Sequence, residues 1–360
     1  MNSPPNIQVL SYDDLRQRRL WRQLCDSFEV IDIFFYPEYC RLFELHGDGK
    51  PYLFVYYDAF KGKVIYPFLK RSLHDLVRGK QSGLDIYDIT SPYGYTGYLR
   101  DQKSVDMNNF YDNFHAYCQQ QQIISEFIRF NPLLENASYA PFQVNMLQER
   151  ETVFMDLKQD EETLWLSLEP TCRNKIRKAH KNNVSIIEDS SFSNLEIFFN
   201  LYTDTMKRLN AHSYYFFSKD WFSELIILLQ NNVKLFHACY NGNIINSAFF
   251  IFNNKFINYF LSGSLHSERN LAANNILLYE VALWAKKMGI EYFHLGGGYK
   301  PNDSLSRFKA SFSPLRAKYY IGGVIHQSDY YNYLCDLVKP IVKCGQNLPF
   351  FPLYRQSQEY

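Results

Sequence analysis

A chain of 360 residues is too long for one ordinary domain, and two domains of roughly 150–180 residues are expected. The formal net charge of +1 argues against a dedicated, whole-surface nucleic-acid binder but allows local cationic patches. Seven cysteines, scattered and without a CxxC pair, point to free thiols in a reducing compartment and away from a zinc site. The N-terminal stretch MNSPPNIQVLSYDDLRQRR has no apolar signal core, and no run approaches the length needed to span a bilayer. A cytoplasmic location is expected, with peripheral membrane contact still open through a lipid-linked substrate.

In chain order, residues 35–69 give an amphipathic helix, an apolar strand, a turn at Lys61-Gly62 and a second apolar strand. A strand over Leu84–Ile89 follows, then the loop SPYGYTGY (91–98), a helix over Val105–Gln120 and a strand over Ile124–Phe130. The domain boundary is expected near residues 132–160, where NPLLENASYAPF (131–142) reads as a linker. Residues 217–251 repeat the helix and hairpin, with Asn241-Gly242 at the turn. A strand (Phe256–Gly263), a helix (Asn274–Lys287) and a strand (Ile290–Leu295) come next. Tyr39 and Trp221 are as far apart as Leu53 and Leu235, while Gly62 and Gly242 are two residues closer. The steady offset indicates a duplicated unit. Each unit implies a mixed sheet with helices on its faces, antiparallel at the hairpin and parallel at the strand-helix-strand step. The tail from Arg316 offers a strand (Lys318–His326) and a helix (Tyr330–Val342) able to return to the first domain.

This order, with the segments LWLSLEPTCRNKIRKAHKNNVSI (164–186), LAANNILLYEVALWAKKMGIEYFHLGGG (271–298) and RFKASF (307–312), resembles the Fem-like family of aminoacyl-tRNA-dependent peptidyltransferases. The resemblance is best over 150–320. It implies an α/β (α+β) chain of two tandem GNAT-like domains, residues 1–150 with the tail 317–360 packed back, and residues 151–316. It also implies metal-free acyl transfer, in which an amine on a peptidoglycan precursor attacks the ester of a charged tRNA. Lys309 matches the family's lysine near the tRNA terminus and the developing oxyanion, and Phe308 its stacking neighbour. This chain departs from the family in carrying His294 where an Asp is frequent, and in lacking a heptad-patterned arm. The SPYGYTGY segment resembles relatives that modify other surface glycans or small amines.

Several residues admit a functional and a structural reading. Arg173, Arg177 and Lys181 fall on one helical face, with Ile176, Ala179 and Val184 toward the core. Like charges at that spacing suggest an anionic donor, although a solvated cationic face has the same pattern. Lys309, between Phe308 and Phe312, is either a snorkelling lysine or an ammonium that stabilises an oxyanion. Gly296, Gly297 and Gly298 end a strand, as a bulge or as bare backbone for a ligand. His294 shares a strand face with Tyr292 and is either a base or a structural histidine. Tyr93, Tyr95 and Tyr98 form either an acceptor platform or a packed loop. In RNLAAN (269–274) the glycine of an acyl-CoA pyrophosphate loop is replaced by Ala272, and Asn274 follows.

The expected function is acyl or aminoacyl transfer to an amine of a cell-envelope precursor. Lys309 and His294 are the candidate catalytic groups. The donor set is Arg173, Arg177, Lys181, Phe308, Asn274 and the three glycines, and the acceptor set Tyr93, Tyr95 and Tyr98. Aminoacyl-tRNA is the favoured co-substrate, and no tightly bound cofactor or metal is expected. Two alternatives remain, an acyl-CoA-dependent enzyme acting on an amino sugar and a non-catalytic binding module of the same fold.

Overall fold

The computed structural model describes residues 6–59, 61–77, 85–298, 303–338 and 351–358. The chain forms two compact units, Met1–Arg150 with Lys318–Tyr360, and Glu151–Ala317.

The first unit begins with β1 (Asn6–Ser11), α1 (Leu15–Asp26), α2 (Pro37–Leu45), β2 (Lys50–Asp58) and β3 (Gly62–Ser72). It continues with α3 (His74–Val77), β4 (Tyr87–Thr90), β5 (Leu99–Arg100), α4 (Met107–Gln120) and β6 (Ile123–Arg129). Local chemistry sets the helix starts. Asp14 accepts the backbone N–H groups of Arg16 and Gln17, and Asp106 those of Asn108 and Asn109, so orphan donors of α1 and α4 are satisfied. From α4, Phe110, Tyr111, Phe114 and Cys118 face inward at helical spacing against Phe54, Tyr66 and Phe68 of the hairpin. The strand order is β1-β2-β3-β4-β6, and β4 pairs with β6 in parallel across α4.

In the second unit come β7 (Asn145–Asp156, whose first residues belong to the first unit), α5 (Glu161–Ser167), α6 (Pro170–Lys181), β8 (Ser185–Glu188), α7 (Leu195–Arg208) and α8 (Lys219–Leu229). They are followed by β9 (Val233–Tyr240), β10 (Asn243–Phe252), β11 (Phe256–Ser264), α9 (Ala273–Lys287), β12 (Tyr292–Gly296) and α10 (Ser304–Ala310). The order β8-β9-β10-β11-β12-β7 repeats the first unit's pattern, again with one parallel pair, β11 with β12 across α9. The expected mixed, duplicated architecture is present. Asn241 (φ 49°) and Gly242 (φ 77°) both take the left-handed conformation that a tight hairpin turn requires.

After α10 the chain re-enters the first unit as β13 (Arg316–Ile325) and α11 (Ser328–Val338), and β13 pairs antiparallel with β6. The expected continuation of that helix to Val342 and the strand start at Leu84 lie outside the described residues. One expectation is corrected. The segment NPLLENASYAPF is not a loose linker, because its start is anchored, and the division between the units, at Arg150 and Glu151, falls inside β7. Buried Asn136 donates to the carbonyls of Thr96 and Tyr98 and accepts from the Asn131 N–H. Cys25, Cys40, Cys118, Cys172, Cys239 and Cys335 are free thiols.

Gly263 on β11 sits where a Cβ would overlap the backbone of Leu201 and Tyr202 on α7. Gly263→Ala must therefore push α7 off the sheet. We expect a loss of about 1–3 kcal/mol, read as a lower urea midpoint at unchanged m-value.

Candidate active site at a strand fork

β11 and β12 pair over Phe256↔Tyr292, Ile257↔Phe293 and Asn258↔His294, and the pairing stops there among the described residues. β11 runs on to Ser264 while β12 ends at Gly296, so the two strands open into a fork. A shifted register between His294 and Gly296, against β7, turns β12 away, and Gly296 has φ +75°. The remaining glycines answer to packing. A Cβ on Gly297 would lie 3.0 Å from the Glu151 carbonyl, and one on Gly298 would overlap Asp303, the N-cap of α10. The glycine run thus serves as bulge and close-packed support, which corrects the expectation of three positions bared for a ligand.

Lys309 projects from α10 to this fork. It is 8% exposed, its Nζ donates to the Gly297 carbonyl at 2.8 Å, and it lies 5.8 Å from the centroid of the Tyr259 ring. Burial pushes its pKa down to about 8, against the upward pull of Asp303. The ammonium is therefore mostly retained at neutral pH, in surroundings where its field is weakly screened. His294 is 2% exposed and its Nδ1 lies 3.2 Å from Asn258 Oδ1. Burial, with the charge of Lys309, pushes its pKa down to about 3. The expectation of a base at His294 is corrected, since so weak a base gains little from a proton at neutral pH. It stands at the fork as a neutral hydrogen-bonding ring.

Phe308 packs on the core beside Phe312, ring to ring at 5.3 Å, and is only partly covered. The Glu169 N–H donates to Ser311 O, and Asn275 Nδ2 to Cys172 Sγ at 3.4 Å, which joins the starts of α6 and α9 to the end of α10. On α6, Ile176 and Ala179 are buried as expected, as is Val184 just beyond the helix, while Arg177 and Lys181 are exposed and Arg173 is half-buried. Arg173 donates to the Leu166 carbonyl at 3.3 Å, and Arg177 lies 5.2 Å from the Trp165 ring. None of these three forms an ion pair among the described residues. Ala272 takes the left-handed conformation (φ 57°) just before α9, and the Asn274 Oδ1 that follows is buried without a hydrogen-bond partner among the described residues.

In the first unit the corresponding opening between β4 and β6 is closed. The Ser91 N–H donates to Phe127 O and the Thr96 N–H to Arg129 O, each at 2.9 Å, so the 91–98 loop continues the pairing. Tyr93 and Tyr95 are half-buried. Tyr39 donates to the Tyr93 carbonyl, and the Tyr95 ring meets Tyr319 edge-on. Tyr98 is corrected as an acceptor residue. It is 0% exposed, packed among Tyr66, Phe110 and Phe130, and forms part of the core.

Sequence reasoning missed Asn258 and Tyr259, which lie in a strand legible only as apolar. It also missed a Ser247–His237–Asp189 series, with Ser247 Oγ 2.7 Å from His237 Nδ1 and His237 Nε2 3.3 Å from Asp189 Oδ2. Ser247 is 0% exposed, so no substrate reaches it. Burial works to raise the Asp189 pKa, but the N–H groups of Asn194 and Ser193 and the His237 bond hold it at about 2. The series clasps the 189–194 turn to β9. Among the described residues no cluster of metal-ligating side chains occurs, and no helix is long and apolar enough to cross a membrane.

Residues 170–309, which hold this fork and Lys309, match the family model of the acetyltransferase (GNAT) domain. Similar solved structures include FemX, at 14% identity over 88% of this chain and 98% of that one, with a TM-score of 0.64. L-PGS from Bacillus licheniformis matches at 11% identity over 92% and 97%, with a TM-score of 0.52. A conserved protein of unknown function from Bacteroides thetaiotaomicron matches at 10% identity over 90% and 100%, also with a TM-score of 0.52. A search of curated proteins finds no match. The chain thus carries a GNAT acetyltransferase domain over residues 170–309 and shares its overall fold with FemX.

Proposed function

We propose that the protein transfers an aminoacyl group from a charged tRNA to an amine of a cell-envelope precursor, at the β11/β12 fork of the second unit. The observation that carries this reading is the buried Lys309 ammonium held against Gly297 at the fork. The attacking amine forms the new C–N bond, the ester C–O bond breaks, and the proton lost by the amine passes to the departing ribose hydroxyl. Lys309 stabilises the oxyanion that forms between these events. No strong base is needed if the amine arrives unprotonated, and positioning supplies much of the remaining rate. The exposed Arg177 and Lys181 of α6, with the half-buried Arg173 beside them, support a polyanionic donor, and Phe308 offers a ring on which its terminal base can stack. The half-buried Tyr93 and Tyr95 remain the proposed acceptor contacts of the first unit.

One observation favours acyl-CoA as the donor instead. The left-handed Ala272 keeps the backbone shape that a glycine would give a pyrophosphate loop before a helix N-terminus. Filter binding with a charged tRNA pool and calorimetry with acetyl-CoA separate the two. We expect tRNA binding that weakens steeply with salt and falls about tenfold or more in an Arg177→Gln/Lys181→Gln double variant. Binding of acetyl-CoA alone would select the second reading.

A further inference from the structure

A polar run in the first unit takes no part in the chemistry assigned to the fork. Glu126 of β6 is 0% exposed, and its Oε2 accepts the Tyr111 O–H from α4 at 2.7 Å. The same oxygen lies 3.2 Å from Nε2 of His326, itself 5% exposed. The other ring nitrogen of His326, Nδ1, lies 2.8 Å from Nδ1 of His115, and His115 Nε2 lies 3.0 Å from Gln119 Nε2. His115 is half-buried and Gln119 exposed, so the run leads from the solvent side of α4 to a buried carboxylate. His326 stands at the joint between β13 and α11, where its own N–H and that of Gln327 both donate to the Ile124 carbonyl. The rings of Tyr111 and Phe114 pack on it from α4 and bring no charge.

The bond between the two rings limits the protons they hold. An Nδ1–Nδ1 hydrogen bond needs a proton on one nitrogen and a lone pair on the other. Two neutral rings meet that need, and so do one neutral and one charged ring. Two charged rings do not, because both nitrogens then donate and like charges stand face to face at 2.8 Å. Burial, with the His326 ring, pushes the His115 pKa down against the upward pull of Asp112 on α4 and Glu126 on β6. Tyr66, Tyr98, Tyr111 and Cys118 also surround Glu126, and burial pushes all four pKa values well up, so they stay neutral in acid. The stability that His115 contributes is therefore complete above its unfolded value of about 6.5 and is lost as pH falls below it. We infer that His115 and His326 form an acid-sensitive latch, which holds the joint between β13 and α11 against α4 near neutral pH and releases it when both rings are charged. The latch belongs to the first unit and is independent of the donor bound at the fork.

Hydrogen–deuterium exchange on the full-length chain, read by mass spectrometry at about pH 7.5 and about pH 5 and corrected for intrinsic rates, tests it. Protection of residues 320–330 is expected to fall about fivefold or more at the lower pH, roughly the worth of one hydrogen bond, and to recover on return to the higher one. Residues 233–252 of the second unit should show no such fall. His115→Asn, whose side chain takes no proton, and His115→Ala, which makes no such bond, should each lose the dependence on pH. Its absence from the wild type, or its persistence in either variant, would overturn the inference. Ring nitrogen-15 spectra of the wild type at the higher pH give a second reading that needs no variant. One Nδ1 of the pair is expected to carry a proton and the other none, and two bare or two protonated Nδ1 atoms would equally overturn it.

Discussion

Lys309→Met is expected to lower acyl-transfer turnover by about 10²–10³-fold, the usual cost of deleting one preorganised oxyanion donor. The same change is expected not to lower the stability of the second unit at pH 7. Burial holds the folded pKa near 8 against 10.5 for the free side chain, so the folded state binds its proton less tightly than the unfolded chain. The resulting penalty, about 3 kcal/mol at most, is complete below pH 8 and fades as pH rises toward 10.5. Wild-type stability should therefore climb across that window from this group, and the climb should vanish in Lys309→Met, whose thioether fills the site without a charge. Turnover should run the other way and fall above pH 8 as the ammonium deprotonates. Unchanged turnover in Lys309→Met, with donor and acceptor both bound, would remove Lys309 from the mechanism.

This opposition between activity and stability explains why Lys309 was legible in the sequence while its surroundings were not. A lysine flanked by Phe308 and Phe312 conflicts with a simple exposed face, and that local conflict is visible in the letters. The fork is a matter of register. Nothing in FINYFLSGS or YFHLG says that pairing stops at Asn258↔His294, so the partners it gathers, Asn258 and Tyr259, read only as strand residues. Tyr98 failed for the converse reason. A glycine-spaced tyrosine loop looks like a platform, and only the aromatic cluster around Phe130 and Tyr66 shows that one of its rings is core. The repeat was readable because hairpin turns carry Gly in fixed places. β1 and α1, which have no such punctuation, were not read.

The least legible element is the Asp88 clamp, which joins residues 267 positions apart in the chain. Asp88→Asn is expected to destabilise the first unit by about 3–5 kcal/mol, because two partly buried guanidiniums lose their shared counter-charge. Burial alone would raise the Asp88 pKa, but Arg71 and Arg355 overcome it and hold the carboxyl below its usual value. Its contribution is therefore complete above the unfolded value of about 3.9 and is lost as pH falls through the lower folded one. Acid denaturation followed by near-UV circular dichroism should show that dependence in the wild type and a flatter profile in Asp88→Asn. The C-terminal segment should respond first. Tyr354 and Arg355 both reach Asp88, and Tyr354 also lies 2.6 Å from Ser125 on β6. Faster amide exchange across residues 351–358 in Asp88→Asn, with β9 and β10 unchanged, would locate the loss at the clamp. Equal exchange in both proteins would show that the small apolar cluster of Leu73, Ile124, Leu334 and Tyr354 holds the segment by itself.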